Sequence, residues 1–122
     1  MKTHSLNLTT SLKHILNFRR ARDWEKFHLP KELAAAIAIE AAELQELFLW
    51  KGGETKEIVK EDSERLKKIS DEVADITIFL LLLVHDLGID LAGVVNRKIT
   101  ANERRYSVEQ HKGIACKASH NH

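Results

Sequence analysis

The chain has a single cysteine, Cys116, in its polar C-terminal stretch. One thiol builds no disulfide framework, and a reducing compartment is the simpler setting for it. Charge of one sign is missing too, because 18 acidic residues stand against 19 lysines and arginines. That balance argues against a nucleic-acid-coating surface or a basic membrane anchor. The most apolar run, residues 76–84, is nine residues long and interrupted by Thr77, far short of the roughly 20 that span a bilayer. Residues 1–6 lack the apolar core and small-residue cleavage site of a signal peptide, so a cytoplasmic location is expected. No internal repeat occurs, and no segment of strand length alternates apolar with polar residues, which leaves helices.

At 122 residues one domain is expected, large enough for a core and small enough to gain from oligomerisation. The spacing predicts four helices. The first covers residues 8–22, with Leu12, Ile15 and Leu16 inward, Asn7, Thr9 and Thr10 as N-cap candidates, and Arg19, Arg20 and Arg22 suiting the C-terminal end of the macrodipole. The only proline, Pro30, marks the first turn of the second helix, which is predicted to reach Trp50 and to end at Gly52-Gly53. Residues 54–68 are mostly charged and read as a solvated loop or short helix. They lead into a third helix that runs through His85 and stops at Gly88. Asp90 is the N-cap of a fourth helix ending near Tyr106. Residues 108–122, with His111, His120 and His122, carry no periodicity and are expected to be a disordered tail. The third helix is apolar all round between Phe79 and Val84, a pattern that a second copy of the chain would cover. Phe18 and Phe48 are expected in the core.

Two of these helices share an anomaly. Leu33, Ile37, Glu40, Leu44 and Leu47 form one apolar stripe, and Ile69, Glu72, Ile76, Phe79 and Leu83 form another, so a glutamate stands at a core position of each. Glu43 and Asp75 follow three residues later, one turn on and on the same side. Facing helices would therefore converge four carboxylates, and unpaired buried carboxylates require a compensating cation. No cysteine or paired histidine stands nearby for zinc. A hard cation with oxygen ligands, Mg²⁺ with Mn²⁺ as a substitute, fits this donor set. A di-iron bundle would want Glu-x-x-His pairs, and neither His14, His28 nor His85 stands three residues after a glutamate.

The segments Arg22-Asp23-Trp24-Glu25-Lys26-Phe27-His28, Glu40-x-x-Glu43-x-x-Glu46-Leu47-Phe48-x-Trp50-Lys51, Glu72-x-x-Asp75 and Lys98-x-x-x-Asn102-Glu103-x-Arg105-Tyr106 resemble the MazG family of nucleotide pyrophosphohydrolases. Within it, the short single-domain members, including dCTP pyrophosphatases, are the nearest likeness. The resemblance covers residues 8–107. It implies an all-α, four-helix bundle-like MazG fold assembled as a dimer or dimer of dimers. It also implies Mg²⁺-dependent hydrolysis of a nucleoside triphosphate to monophosphate and pyrophosphate.

By the same resemblance Glu40, Glu43, Glu72 and Asp75 hold the metal, and Glu43 is favoured as general base. Lys98, Arg105 and Lys51, with Asn102 and Tyr106, are the candidates to meet the phosphates, and Lys98, Asn102 and Arg105 share a helix face. Trp24, Phe27, Trp50, His28 and Phe79 are the candidates to hold base and sugar, since flat side chains stack on nucleobases. Two departures are visible: a 28-residue spacer between Glu43 and Glu72, long for the family, and Ser107 where many relatives carry proline. The alternative readings are phosphoribosyl-ATP or dUTP as substrate, or a non-catalytic helical adaptor that dimerises through its third helix.

Overall fold

The computed structural model describes residues 7–115. The elements in order are α1 (Leu8–Ala21), a 3-10 turn (Glu25–Phe27), α2 (Pro30–Glu46), α3 (Lys56–Glu61), α4 (Ser63–Asp86), α5 (Leu91–Arg105) and α6 (Val108–His111). No strand occurs among the described residues. The chain falls into two compact units, one through Leu87 and one from Gly88 onward.

In the first unit α4 is the central element, packed chiefly on α2 and also on α1 and α3. Leu33 of α2 (1% exposed) and Leu82 of α4 (2%) are the most deeply buried side chains. Full burial of such a leucine stabilises by roughly 1.5–3 kcal/mol. Caps fall where short polar residues precede the helices. Asn7 Oδ1 accepts the Thr10 N–H at 3.2 Å, Thr55 Oγ1 accepts from Ile58 and Asp62 Oδ1 accepts from Arg65, each satisfying an orphan donor of a first turn. Gly88, at φ 64°, supplies the left-handed residue that follows α4.

Three expectations are corrected. The second helix ends at Glu46, not Trp50. Residues 47–50 form turns, with Leu47 N–H bonding Leu44 O and Phe48 N–H bonding Gln45 O, and Trp50 takes the left-handed conformation at φ 63°. The cause is tertiary: Arg65 reaches from α4 to Leu47 O at 3.3 Å and forks onto Glu54 at 2.8 and 2.7 Å, so this segment is held against the start of α4. Phe18 and Phe48, expected in the core, are 49% and 39% exposed. A guanidinium covers each instead, Arg22 lying 3.6 Å from the Phe18 centroid and Arg65 5.6 Å from that of Phe48. The C-terminal stretch was expected without structure, yet Val108–His111 is helical. Ser107 O accepts the His111 N–H at 2.9 Å, and the His111 ring meets Tyr106 edge-on at 5.2 Å. Cys116, His120, His122 and the expectation of disorder there lie outside the described residues.

In the second unit Asp90 Oδ1 accepts the Gly93 N–H at 3.3 Å, as the sequence predicts for the start of α5. The α5 face bearing Lys98, Asn102 and Arg105 is formed as the spacing requires.

A buried ion pair joins α1 to α4. Arg19, 6% exposed, donates from both terminal nitrogens to the Asp86 carboxylate, each at 2.8 Å, tying the end of α1 to the end of α4. The hydrogen bond from Arg19 holds Asp86 below its ordinary value of 3.8. A depressed carboxylate stabilises fully above its unfolded pKa and loses that contribution as pH falls through the folded value. Asp86→Ala is therefore expected to cost about 3 kcal/mol at pH 7 by leaving the guanidinium buried and unpaired. In urea unfolding curves the gap to the parent protein should narrow as pH drops below about 4. A gap that does not change with pH contradicts this account of the pair.

Candidate active site

The two helices that build the α2–α4 seam bring the sequence anomaly into one place. Glu40 and Glu43 on α2 and Glu72 on α4 each offer a carboxylate oxygen, and these atoms all lie within 4.8 Å of one another. Glu40 and Glu72 are half-buried and Glu43 is exposed. Glu40 Oε2 and Glu72 Oε2 are buried and accept no hydrogen bond. Among the described residues none of the ion pairs involves Glu40, Glu43 or Glu72. Asp75 stands one turn after Glu72 and is exposed. It lies outside the trio, but its charge acts on Glu40.

The electrostatics follow from like charges at short range. The Glu72 carboxyl close by is the main cause that raises Glu40 above its ordinary value, and burial adds to it. Glu43 is raised chiefly by the adjacent Glu40 carboxyl. Side chains raised by mutual repulsion, with two buried oxygens lacking donors, form a site short of positive charge. An ion with oxygen ligands at about 2.1 Å gathers its donors within about 4.2 Å of one another, so the trio fits such an ion with a small side-chain adjustment.

One cavity adjoins the cluster, and another begins at Asp75, one turn along α4. The first, of about 280 Å³, is lined by Glu43, Glu46, Leu47, Lys68, Asp71 and Glu72. Lys68 went unnoticed in the sequence, although it stands four residues before Glu72 and hence on the same face of α4. The second, of about 290 Å³, runs from Asp75 to an apolar wall that includes Phe18, Trp24, Ile78 and Phe79, with Arg19 and His28 as its other polar groups. Phe18 meets Trp24 edge-on at 5.6 Å, and Trp24 meets His28 at 6.5 Å. Burial, then the Arg19 charge, lowers the His28 pKa, which keeps the ring neutral at pH 7.

Of the aromatic candidates, this cavity takes Trp24, His28 and Phe79. Phe27 is 61% exposed and Trp50 99%, and neither lines it. Lys51 is exposed in the segment after α2, where its charge helps lower the Glu54 pKa, after the larger effect of Arg65. Lys98, Asn102, Arg105 and Tyr106 belong to the second unit. There Tyr106 N–H caps α5 on Asn102 O at 2.8 Å, and Arg105 lies 5.4 Å from the Tyr106 ring.

An all-α fold whose central helix pair gathers carboxylates without a basic partner among the described residues defines a helical protein with an acidic, cation-accepting site. The chain belongs to the MazG-like family, whose profile matches residues 35–120. It is 38% identical over 100 residues to dCTP pyrophosphatase 1 of Bos taurus, a match covering 82% of this chain and 59% of that protein. It is also 39% identical over 90 residues to dCTP pyrophosphatase 1 of Homo sapiens, covering 73% and 52%. The chain thus spans between half and three-fifths of the length of these curated relatives. A crystal structure of a pyrophosphatase from Archaeoglobus fulgidus superposes with a TM-score of 0.75 at 36% identity, covering 88% of this chain and 98% of that one.

A charge-deficient site makes a thermodynamic forecast. A carboxyl whose folded pKa is raised disfavours the folded state above that pKa and relaxes as pH falls through it. Glu40→Gln is therefore expected to melt at or above the parent temperature in EDTA at pH 8. Millimolar Mg²⁺ or Mn²⁺ should raise the parent melting temperature by several degrees through binding linkage and leave the variant nearly unmoved. Equal metal-induced shifts in both proteins would remove Glu40 from the site.

Proposed function

We infer that this protein is a Mg²⁺-dependent nucleoside triphosphate pyrophosphohydrolase that acts on dCTP or related deoxynucleotides. The observation that carries the reading is the pair of buried, unpartnered carboxylate oxygens of Glu40 and Glu72, with Asp75, one turn after Glu72, lining a cavity of base size. The names of the relatives support the same reaction. A triphosphate carries about four negative charges and cannot approach these carboxylates without a bridging cation. Glu40, Glu43 and Glu72 would hold that cation, with Asp75 one turn along. When bound, it supplies neutralisation of phosphate charge and a more acidic water.

The protein's own groups divide the remaining work. Trp24 and Phe79 provide flat and apolar surface for the base, and His28 adds a polar atom. Glu43, the exposed member of the trio, is the one that a water can reach, and it accepts the proton. Attack by that water at the α-phosphorus forms one P–O bond while the bond to the bridging oxygen breaks, and pyrophosphate leaves with the electron pair. Lys68, which lines the cavity beside Glu43 and Glu72, meets the outer phosphates. Lys51, Lys98, Asn102, Arg105 and Tyr106 remain candidates for the same task. A cytoplasmic location belongs with this reading, since the nucleotide pool is there.

A single copy leaves Val73, Leu80 and Leu87 of the central helix region 43–53% exposed. That supports a homodimer or homotetramer in which a second copy covers them. Light scattering should return the mass of two or four chains, and a monomer at micromolar concentration contradicts the assembly. For the reaction, dCTP with Mg²⁺ should yield dCMP and pyrophosphate, and EDTA should stop it. Glu72→Gln should lower kcat/KM at least ~100-fold with helical content unchanged. An unimpaired Glu72→Gln enzyme, or no release from any nucleotide of a canonical panel, would overturn the reading.

A further inference from the structure

Among the described residues Lys68 is the only cation that lines the acidic cavity. Four carboxylates border the same space of about 280 Å³, those of Glu43 and Glu46 from α2 and of Asp71 and Glu72 from α4. Lys68 precedes Asp71 by three residues and Glu72 by four, the spacings at which a helix brings a lysine and a carboxylate within pairing reach. Yet Lys68 joins none of the ion pairs among the described residues. The buried arginines behave otherwise, because Arg19 and Arg65 each fork onto a carboxylate. Lys67, next in the chain, is exposed like Lys68 but lines no part of this cavity.

An ammonium beside a cation site has two opposite effects. It repels a divalent ion that arrives alone, and it attracts an anion that arrives with the ion. Glu43 and Glu72 belong to the trio that offers oxygens to a cation and share their cavity with Lys68, whose charge rides on a flexible four-carbon stem. Charges closer than a Debye length, roughly 10 Å at about 0.1 M salt, still act on each other through water. Pairing with one of the four carboxylates would cancel both effects. The unpaired state keeps them.

We propose that Lys68 links cation binding to substrate binding: it weakens the hold of the carboxylate trio on a lone divalent ion and strengthens it on an ion that arrives with a polyphosphate. This rests on the nucleotide reading given under Proposed function and adds a regulation of that site. A metal–triphosphate complex satisfies both halves at once, its metal meeting the carboxylates and its outer phosphates the ammonium. The linkage is reciprocal, since nucleotide that tightens the metal is itself tightened by the metal by the same factor. The free protein then stays largely empty at metal concentrations where the metal–nucleotide complex fills it.

Equilibrium dialysis of the full chain against Mn²⁺, read as the excess of metal on the protein side, tests this without turnover. Without nucleotide and at low ionic strength, Lys68→Gln should bind Mn²⁺ about fivefold more tightly than the parent, an advantage that shrinks as salt is added. Lys68→Arg, which keeps the charge, and Lys67→Gln, which removes a charge outside the cavity, should both stay within about twofold of the parent. With saturating α,β-methylene-dCTP, whose carbon bridge resists cleavage, the parent's affinity for Mn²⁺ should rise about tenfold or more, and the rise should be about threefold smaller in Lys68→Gln. Mn²⁺ affinity that is unchanged or weaker in Lys68→Gln, or equally raised in Lys67→Gln, overturns the proposal. So does a nucleotide effect on Mn²⁺ of equal size in parent and Lys68→Gln. Both readouts are binding measurements, which separates this proposal from the reaction. A protein that binds as described but cleaves no dCTP fails the pyrophosphohydrolase reading and keeps the role of Lys68, whereas a Lys68→Gln enzyme with parental binding and turnover does the reverse.

Discussion

Two glutamate carboxylates set at core positions of a helix pair, without a basic partner, are the constraint on which the rest of the first unit depends. Hydrophobic burial, deepest at Leu33 of α2 and Leu82 of α4, draws the two helices together, and the same closure brings Glu40 and Glu72 close to each other. Leucine at either position would hold the helices more cheaply. The protein instead keeps buried oxygens that nothing among the described residues satisfies. The deficit is the basis for expecting an external cation.

The cations that the chain does bury are placed elsewhere and already matched. Arg65 forks onto Glu54 and fixes the turn segment after α2, while Arg19 forks onto Asp86 and fixes the end of α1. The two clamps differ in one respect. Arg65 has a second carboxylate nearby, that of Asp62 at 3.3 Å, whereas Arg19 lines a cavity. Both brace α4 at its ends, which keeps Glu72 on the middle of a rigid element. Sites carried by packed helices hold their geometry better than sites carried by loops.

Much of this was legible in the sequence because it is written in local periodicity. Glu40 and Glu72 could be found by counting three and four along apolar stripes, and Asn7, Pro30 and Asp90 by the chemistry of helix starts. What stayed hidden was set by contacts between distant residues. Arg19 and Asp86 are 67 positions apart, and at the end of α1 an arginine reads simply as a cation suited to the helix dipole. The end of α2 was misplaced because Leu47 to Trp50 continues the apolar pattern, and only the reach of Arg65 from α4 turns the backbone there. Lys68 carried a usable signal, its four-residue spacing from Glu72, hidden in a run of charge that looks like solvated surface.

The central claim is that the Glu40–Glu43–Glu72 cluster is completed by a divalent cation. Anomalous diffraction from crystals grown with Mn²⁺ tests it most directly, because the ion's position is read without reference to activity. The account predicts a strong anomalous peak between α2 and α4, within about 2.3 Å of carboxylate oxygens from Glu40 and Glu72. A lysine or arginine side chain from a second copy seated between those carboxylates, with no peak, would contradict it.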